Sequence, residues 1–144
     1  MNFDNQAKDW DNDPKKVERA KILAKEIKQY FGDKKLSKAF EFGCGTGLVS
    51  YFLKDFFNKI TLADNSKGMI GVLKEKIEKE KLLNLNPILI DLLEDDLDIE
   101  KQDVIYTLLT IHHIHDLNKI FATFNQLLKP GGFICIADLV SEDG

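Results

Sequence analysis

Only two cysteines, three prolines and one tryptophan occur among the 144 residues. Cys44 lies in a glycine-rich turn and Cys135 in an apolar run, so a disulfide framework is excluded and a reducing cytoplasm is the simplest setting. No apolar stretch approaches the roughly 20 residues of a membrane helix. The opening residues, Met1-Asn2-Phe3-Asp4-Asn5-Gln6, lack the basic-then-apolar layout of a secretory leader. Basic runs are missing as well: the lysines are scattered and the net charge is −4, which argues against a phosphate-tracking nucleic-acid surface. There are no repeats, no low-complexity segments and no internal boundary. With 44% apolar and 31% charged residues, the chain reads as one ordinary globular domain.

What is present is an alternation of two periods. Residues 1–12 read as polar and irregular apart from Trp10. Asp13-Pro14 is an N-cap with proline at the first helical position, and Val17, Ala20, Leu23, Ala24, Ile27 and Phe31 recur at helical spacing until Gly32. A strand is expected over 38–42, a helix from Leu48 to about Asn58, and a second strand through Ile60, Leu62 and Ala63, closed by Asp64. Ser66 caps a long helix through Met69, Leu73 and Leu82. Pro87 to Ile90 forms a third strand ending on Asp91, and an acidic loop leads to a fourth strand from Asp103 to Leu108. A helix over 117–128, a turn at Lys129-Pro130-Gly131-Gly132 and a fifth strand from Phe133 to Ala137 complete the series. Short apolar strands alternating with helices predict an α/β fold whose parallel sheet is covered on both faces.

The most specific feature is Glu41-Phe42-Gly43-Cys44-Gly45-Thr46-Gly47, at the carboxyl end of the first strand, where open α/β sheets bind ligands. Glycines at alternate positions let a ligand approach the backbone. A dinucleotide fingerprint would place its last glycine at position 48, which is Leu48; here it comes one residue early. Glu41 is also foreign to a pyrophosphate cradle and better suits a cationic or hydroxyl-rich ligand. The segment closely resembles motif I of the class I S-adenosylmethionine-dependent methyltransferases. That resemblance implies a Rossmann-like three-layer sandwich with strand order 3-2-1-4-5, residues 1–35 serving as an N-terminal cap segment and 36–144 as the core.

It also implies S-adenosyl-L-methionine as cofactor, with Glu41, Gly43, Gly45 and Gly47 forming the turn beneath it. Asp64 would accept the ribose hydroxyls, followed by Asn65, and Met69 would pack on the adenine ring. Asp91 would accept from the adenine amino group and Leu92 would lend it a backbone N–H. In relatives of this kind an N-terminal segment folds over the cofactor, which makes Trp10 and Arg19 worth noting. After the fourth strand, where this family builds its transfer site, stand His112, His113, His115 and Asp116. The Asn/Asp-Pro-Pro-Tyr/Phe motif of amine-methylating relatives is missing there, so a small-molecule acceptor is expected. His113 is the candidate catalytic residue, able to take a proton from a hydroxyl. Structural histidines capping the loop into the next helix are the default reading, since positioning and desolvation can carry much of the rate of in-line methyl transfer without a base. No metal site is expected, because the histidines are adjacent and no fourth ligand is near.

The family's sixth and seventh strands have no counterpart before Gly144. Either the chain is a fragment of a longer protein or a second copy covers the edge of strand five, as a homodimer would. The function implied is methyl transfer to a small molecule. A non-catalytic cofactor-binding or partner-binding module is one alternative; a nicotinamide-dependent oxidoreductase is another, disfavoured by the glycine spacing.

Overall fold

The computed structural model describes residues 3–34, 36–108 and 116–137. In chain order the elements are α1 (Phe3–Trp10), α2 (Pro14–Phe31), β1 (Lys38–Phe42), α3 (Leu48–Leu53), β2 (Lys59–Asp64), α4 (Lys67–Glu80), β3 (Leu85–Leu89), β4 (Gln102–Leu108), α5 (Leu117–Leu127) and β5 (Leu128–Ala137). The five strands form one parallel sheet in the order β3-β2-β1-β4-β5. The expected architecture and strand order are those observed.

Strand alternation divides the core into two layers. Ala39, Leu62 and Val104 point to one face, against Leu23 and Ile27 of α2, Val49 and Leu53 of α3, and Ile70 and Leu73 of α4. Their chain neighbours Phe40, Ala63 and Ile105 point to the other, against Ile120, Phe124 and Leu127 of α5. The second layer is thinner. The crossover from β3 to β4 carries no helix and covers its share of the sheet with Leu92, Leu93, Leu97 and Ile99 of an irregular segment. Among the described residues, no helix is long and apolar enough to cross a membrane.

The local signals act where they stand. The Asp13 carboxylate accepts from the Lys15 backbone N–H at 2.9 Å, and Gly32 closes α2 at φ 53°. Ser66 Oγ accepts from Met69 N at 3.2 Å and starts α4. Asp116 accepts from Lys119 N at 2.9 Å and starts α5.

Five expectations need correction. Residues 3–10 are helical rather than irregular, because Ala7 is buried as α1 packs against α4. Helices α3 and α4 end early, at Leu53 and Glu80, short of Asn58 and Leu82, and Lys81 closes α4 in the left-handed conformation. Strand β3 spans Leu85–Leu89 rather than starting at Pro87. Proline is tolerated inside a strand at a sheet edge, where Pro87 lies opposite Leu62 and, among the described residues, no strand pairs on its far side. Asp91 therefore stands two residues beyond the strand. Finally, Lys129-Pro130-Gly131-Gly132 is an irregular lead-in within β5, with a register shift opposite Gln102 and Val104, and not a turn before it.

Candidate functional site

The glycine turn follows β1 at the carboxyl edge of the sheet. Cys44 N donates to Ala63 O of β2 at 3.0 Å, and Gly47 N donates to Cys44 O at 2.9 Å. Both oxygens of the Asp64 carboxylate are used: Oδ2 accepts from Gly45 N in the turn and Oδ1 from Ser66 N at the start of α4, each at 2.8 Å. One side chain at the end of β2 thus fixes the turn after β1 and the entry to α4.

The glycines look in different directions. A Cβ on Gly47 would lie 2.7 Å from Leu73 Cδ1 and 3.1 Å from Leu62 Cδ2, and φ is +84°. This glycine is required by the core beneath it. Among the described residues, a Cβ on Gly45 would meet Trp10 Nε1 at 3.7 Å and Met69 Sδ at 3.8 Å, on the outer side of the turn. Gly45 therefore has only ordinary contact distances around it, whereas Gly47 does not.

Glu41 belongs to the inner side. It is 2% exposed, its Oε1 accepts from Ser50 Oγ of α3 at 2.5 Å, and that hydroxyl is 2.6 Å from the buried Tyr106 OH of β4. Burial pushes its carboxyl up to about 8, against the opposing pull of the Ser50 hydrogen bond, so it holds its proton at neutral pH. The expectation of a negative side chain offered to a cationic ligand is thereby corrected: Glu41 ties β1, α3 and β4 together under the turn. Burial also pushes the Cys44 thiol well up, which keeps it from acting as a nucleophile.

Two residues that the motif reading missed, Asp11 and Lys76, hold the turn through Thr46. Lys76 Nζ of α4 donates to Thr46 O at 3.0 Å and pairs with Asp11 Oδ2 at 2.6 Å. The Thr46 hydroxyl donates to Asp11 Oδ1. Asp11 sits in the bend between α1 and α2, directly after Trp10. Lys16 Nζ stands 4.3 Å from the centre of the Trp10 ring. Nothing in the sequence signalled this cluster, since Asp11 lies in a polar stretch and Lys76 is one lysine among several on α4.

The other expected site residues gather at the same edge with different exposures. Met69 is buried and Asn65 is exposed. Asp91 is half-buried, and its Oδ1 accepts from Leu93 N at 3.0 Å. Leu92 is buried and lines a cleft of about 490 Å³ between the acidic segment and α5. His112, His113 and His115 lie outside the described residues. Among the described residues no three histidine, cysteine or carboxylate side chains gather as metal ligands would.

Together these features define a doubly wound α/β domain with a glycine turn at the carboxyl edge of its first two strands, the edge at which open α/β sheets bind ligands. Comparison with known proteins narrows this. A family model described as a methyltransferase domain matches residues 40–136, and the chain belongs to that family. It is 35% identical over 140 residues to malonyl-acyl-carrier-protein O-methyltransferase 1 of Ilyobacter polytropus, covering 95% of this chain and 50% of that protein. Among solved structures, it resembles a candidate S-adenosyl-L-methionine-dependent methyltransferase of Methanococcus maripaludis, with a TM-score of 0.81 at 23% identity. That match covers 94% of this chain and 65% of the other. It also resembles the phosphoethanolamine N-methyltransferase 2 of Haemonchus contortus, solved with phosphomonomethylethanolamine and S-adenosylhomocysteine. There the TM-score is 0.74 at 26% identity, covering 84% of this chain and 30% of the other. The chain spans about half the length of the curated relatives it matches.

Proposed function

We propose that this chain is the cofactor-binding part of an S-adenosyl-L-methionine-dependent methyltransferase acting on a small-molecule acceptor. The observation that carries the reading is the outward face of Gly45, flanked by Asp64 and Met69 at the carboxyl edge of β1 and β2. The cofactor would supply a methyl group on a sulfonium. The chain would hold the adenosyl part over Gly45, with the Asp64 carboxylate beside the ribose hydroxyls, and with Asn65, Met69, Asp91 and Leu92 along the adenine. Gly43 and Gly47 shape the turn below. Methyl transfer is an in-line displacement, so positioning can supply much of the rate. His113 is the proposed contact to the acceptor or its proton.

One relative in this family is an O-methyltransferase and one structural neighbour an N-methyltransferase, so the acceptor atom is left open in the proposal. The cytoplasm is the proposed location, supported by two free cysteines. A homodimer is proposed through β5, which exposes Ile134 and Ile136 at the sheet edge. Light scattering across a concentration series tests that pairing: a monomer at every concentration would contradict it.

The direct test of function is transfer of a labelled methyl group from S-adenosyl-L-methionine to a panel of small carboxylates, alcohols and amines. Product labelling that falls in His113→Asn supports the full proposal. Absence of transfer to every acceptor, with cofactor bound, would favour a non-catalytic binding module.

A further inference from the structure

The Trp10 indole stands on the outer side of Gly45, with Nε1 3.7 Å from where a Cβ would be. Adding a bond of about 1.5 Å puts that nitrogen no more than about 5 Å from the Gly45 Cα. A ligand atom lying between them would need about 3.5 Å to each neighbour, hence roughly 7 Å of room. The gap is too small by about 2 Å. On its other flank the same space is bounded by Met69 Sδ, 3.8 Å from the same Cβ position.

The indole is held there by the residue that follows it. Asp11 accepts from the Thr46 hydroxyl and pairs with Lys76 Nζ at 2.6 Å, and Lys76 also binds the Thr46 carbonyl. The Lys76 side chain is only 15% exposed and that of Asp11 32%, so water screens this pair less than a surface pair. Upstream, α1 packs on α4 and its Ala7 is buried. A strap from α1 to the α2 bend is therefore fastened to both arms of the glycine turn's support.

We infer that Trp10 and the adenosyl ligand compete for the layer above Gly45, and that Asp11 is the latch that keeps the strap closed when no ligand is bound. The inference rests on the proposed function, because it takes the ligand to lie over Gly45. Binding then requires the strap to lift, and the measured affinity is the intrinsic one reduced by the fraction of molecules already open.

The test is calorimetric titration of the whole chain with S-adenosylhomocysteine, in the unsubstituted protein, in Trp10→Ala and in Asp11→Asn. Trp10 is the only tryptophan, so its emission reports the strap directly. The expected result is affinity about tenfold tighter in both variants, as follows when a closed state dominates about nine to one. A red shift of Trp10 emission on binding to the unsubstituted protein is expected as well. Asp11→Asn keeps the indole, so it separates latch from plug and stands if Trp10→Ala folds poorly. Unchanged or weaker binding in the two variants, with unchanged emission, would overturn the inference and leave the cofactor reading intact. A failure of S-adenosylhomocysteine to bind any of the three proteins would overturn both.

Discussion

The two sides of the glycine turn are built for different work. On the inner side, Glu41, Ser50 and Tyr106 form a buried chain of hydroxyl and carboxyl groups, and Gly47 leaves room for Leu62 and Leu73. On the outer side, Gly45 faces Trp10 and Met69, with the Asp64 carboxylate at its backbone N–H. Residues of one short motif therefore divide between holding the sheet together and facing the side where the proposed ligand would lie. Similarity along the motif is no guide to which does which; the direction of each side chain is.

Substitutions on the inner side should cost stability and leave ligand affinity alone. The largest effect is expected from pH. Glu41 keeps its proton in the folded chain up to about pH 8, while in the unfolded chain it ionises near 4.5. The unfolded state therefore binds fewer protons between those values, and stability falls as pH rises through the window. Glu41→Gln removes this titration. Urea denaturation from pH 4 to 9 should show the variant gaining on the unsubstituted protein by on the order of 3 to 5 kcal/mol. Parallel curves would mean that Glu41 is charged in the fold.

Next in size, Gly47→Ala must force a methyl group against Leu73 at a left-handed backbone position, which should cost about 3 kcal/mol in the same denaturation experiment. Gly45→Ala sharpens the comparison. Its Cβ meets only ordinary contacts, so the backbone penalty of about 1 kcal/mol is all the fold should lose. S-adenosylhomocysteine should bind it at least about tenfold more weakly, however, because the methyl enters the ligand's layer. Equal stability losses in the two alanine variants would erase the distinction between the sides. The smallest effect is expected from Tyr106→Phe. Ser50 keeps its bond to Glu41, so about 1 kcal/mol of stability should be lost with no change in ligand affinity.

Much of this was readable before the structure, for physical reasons that differ by element. The bounds of α2 and the start of α4 follow from capping residues that act within a few positions, Asp13-Pro14, Gly32 and Ser66. The strand order came from the family resemblance, and the positions of Gly45 and Asp64 from the motif. What escaped was non-local. α1 has few apolar residues, and its helicity depends on docking against α4, an element more than fifty positions later in the chain. Alternation along β1 puts Glu41 on the same face as Ala39, yet its protonation depends on Ser50 and Tyr106, which no spacing ties to it. The Asp11–Thr46–Lys76 cluster joins three elements through polar side chains, which leave no period in a sequence.

The most direct measurement is calorimetric titration with S-adenosylhomocysteine and, separately, with NAD, repeated in Asp64→Ala. The account predicts micromolar binding of the adenosyl ligand, its loss in the variant while circular dichroism still shows a folded chain, and no heat from NAD. Binding of NAD alone, or adenosyl binding that survives unchanged in Asp64→Ala, would contradict it.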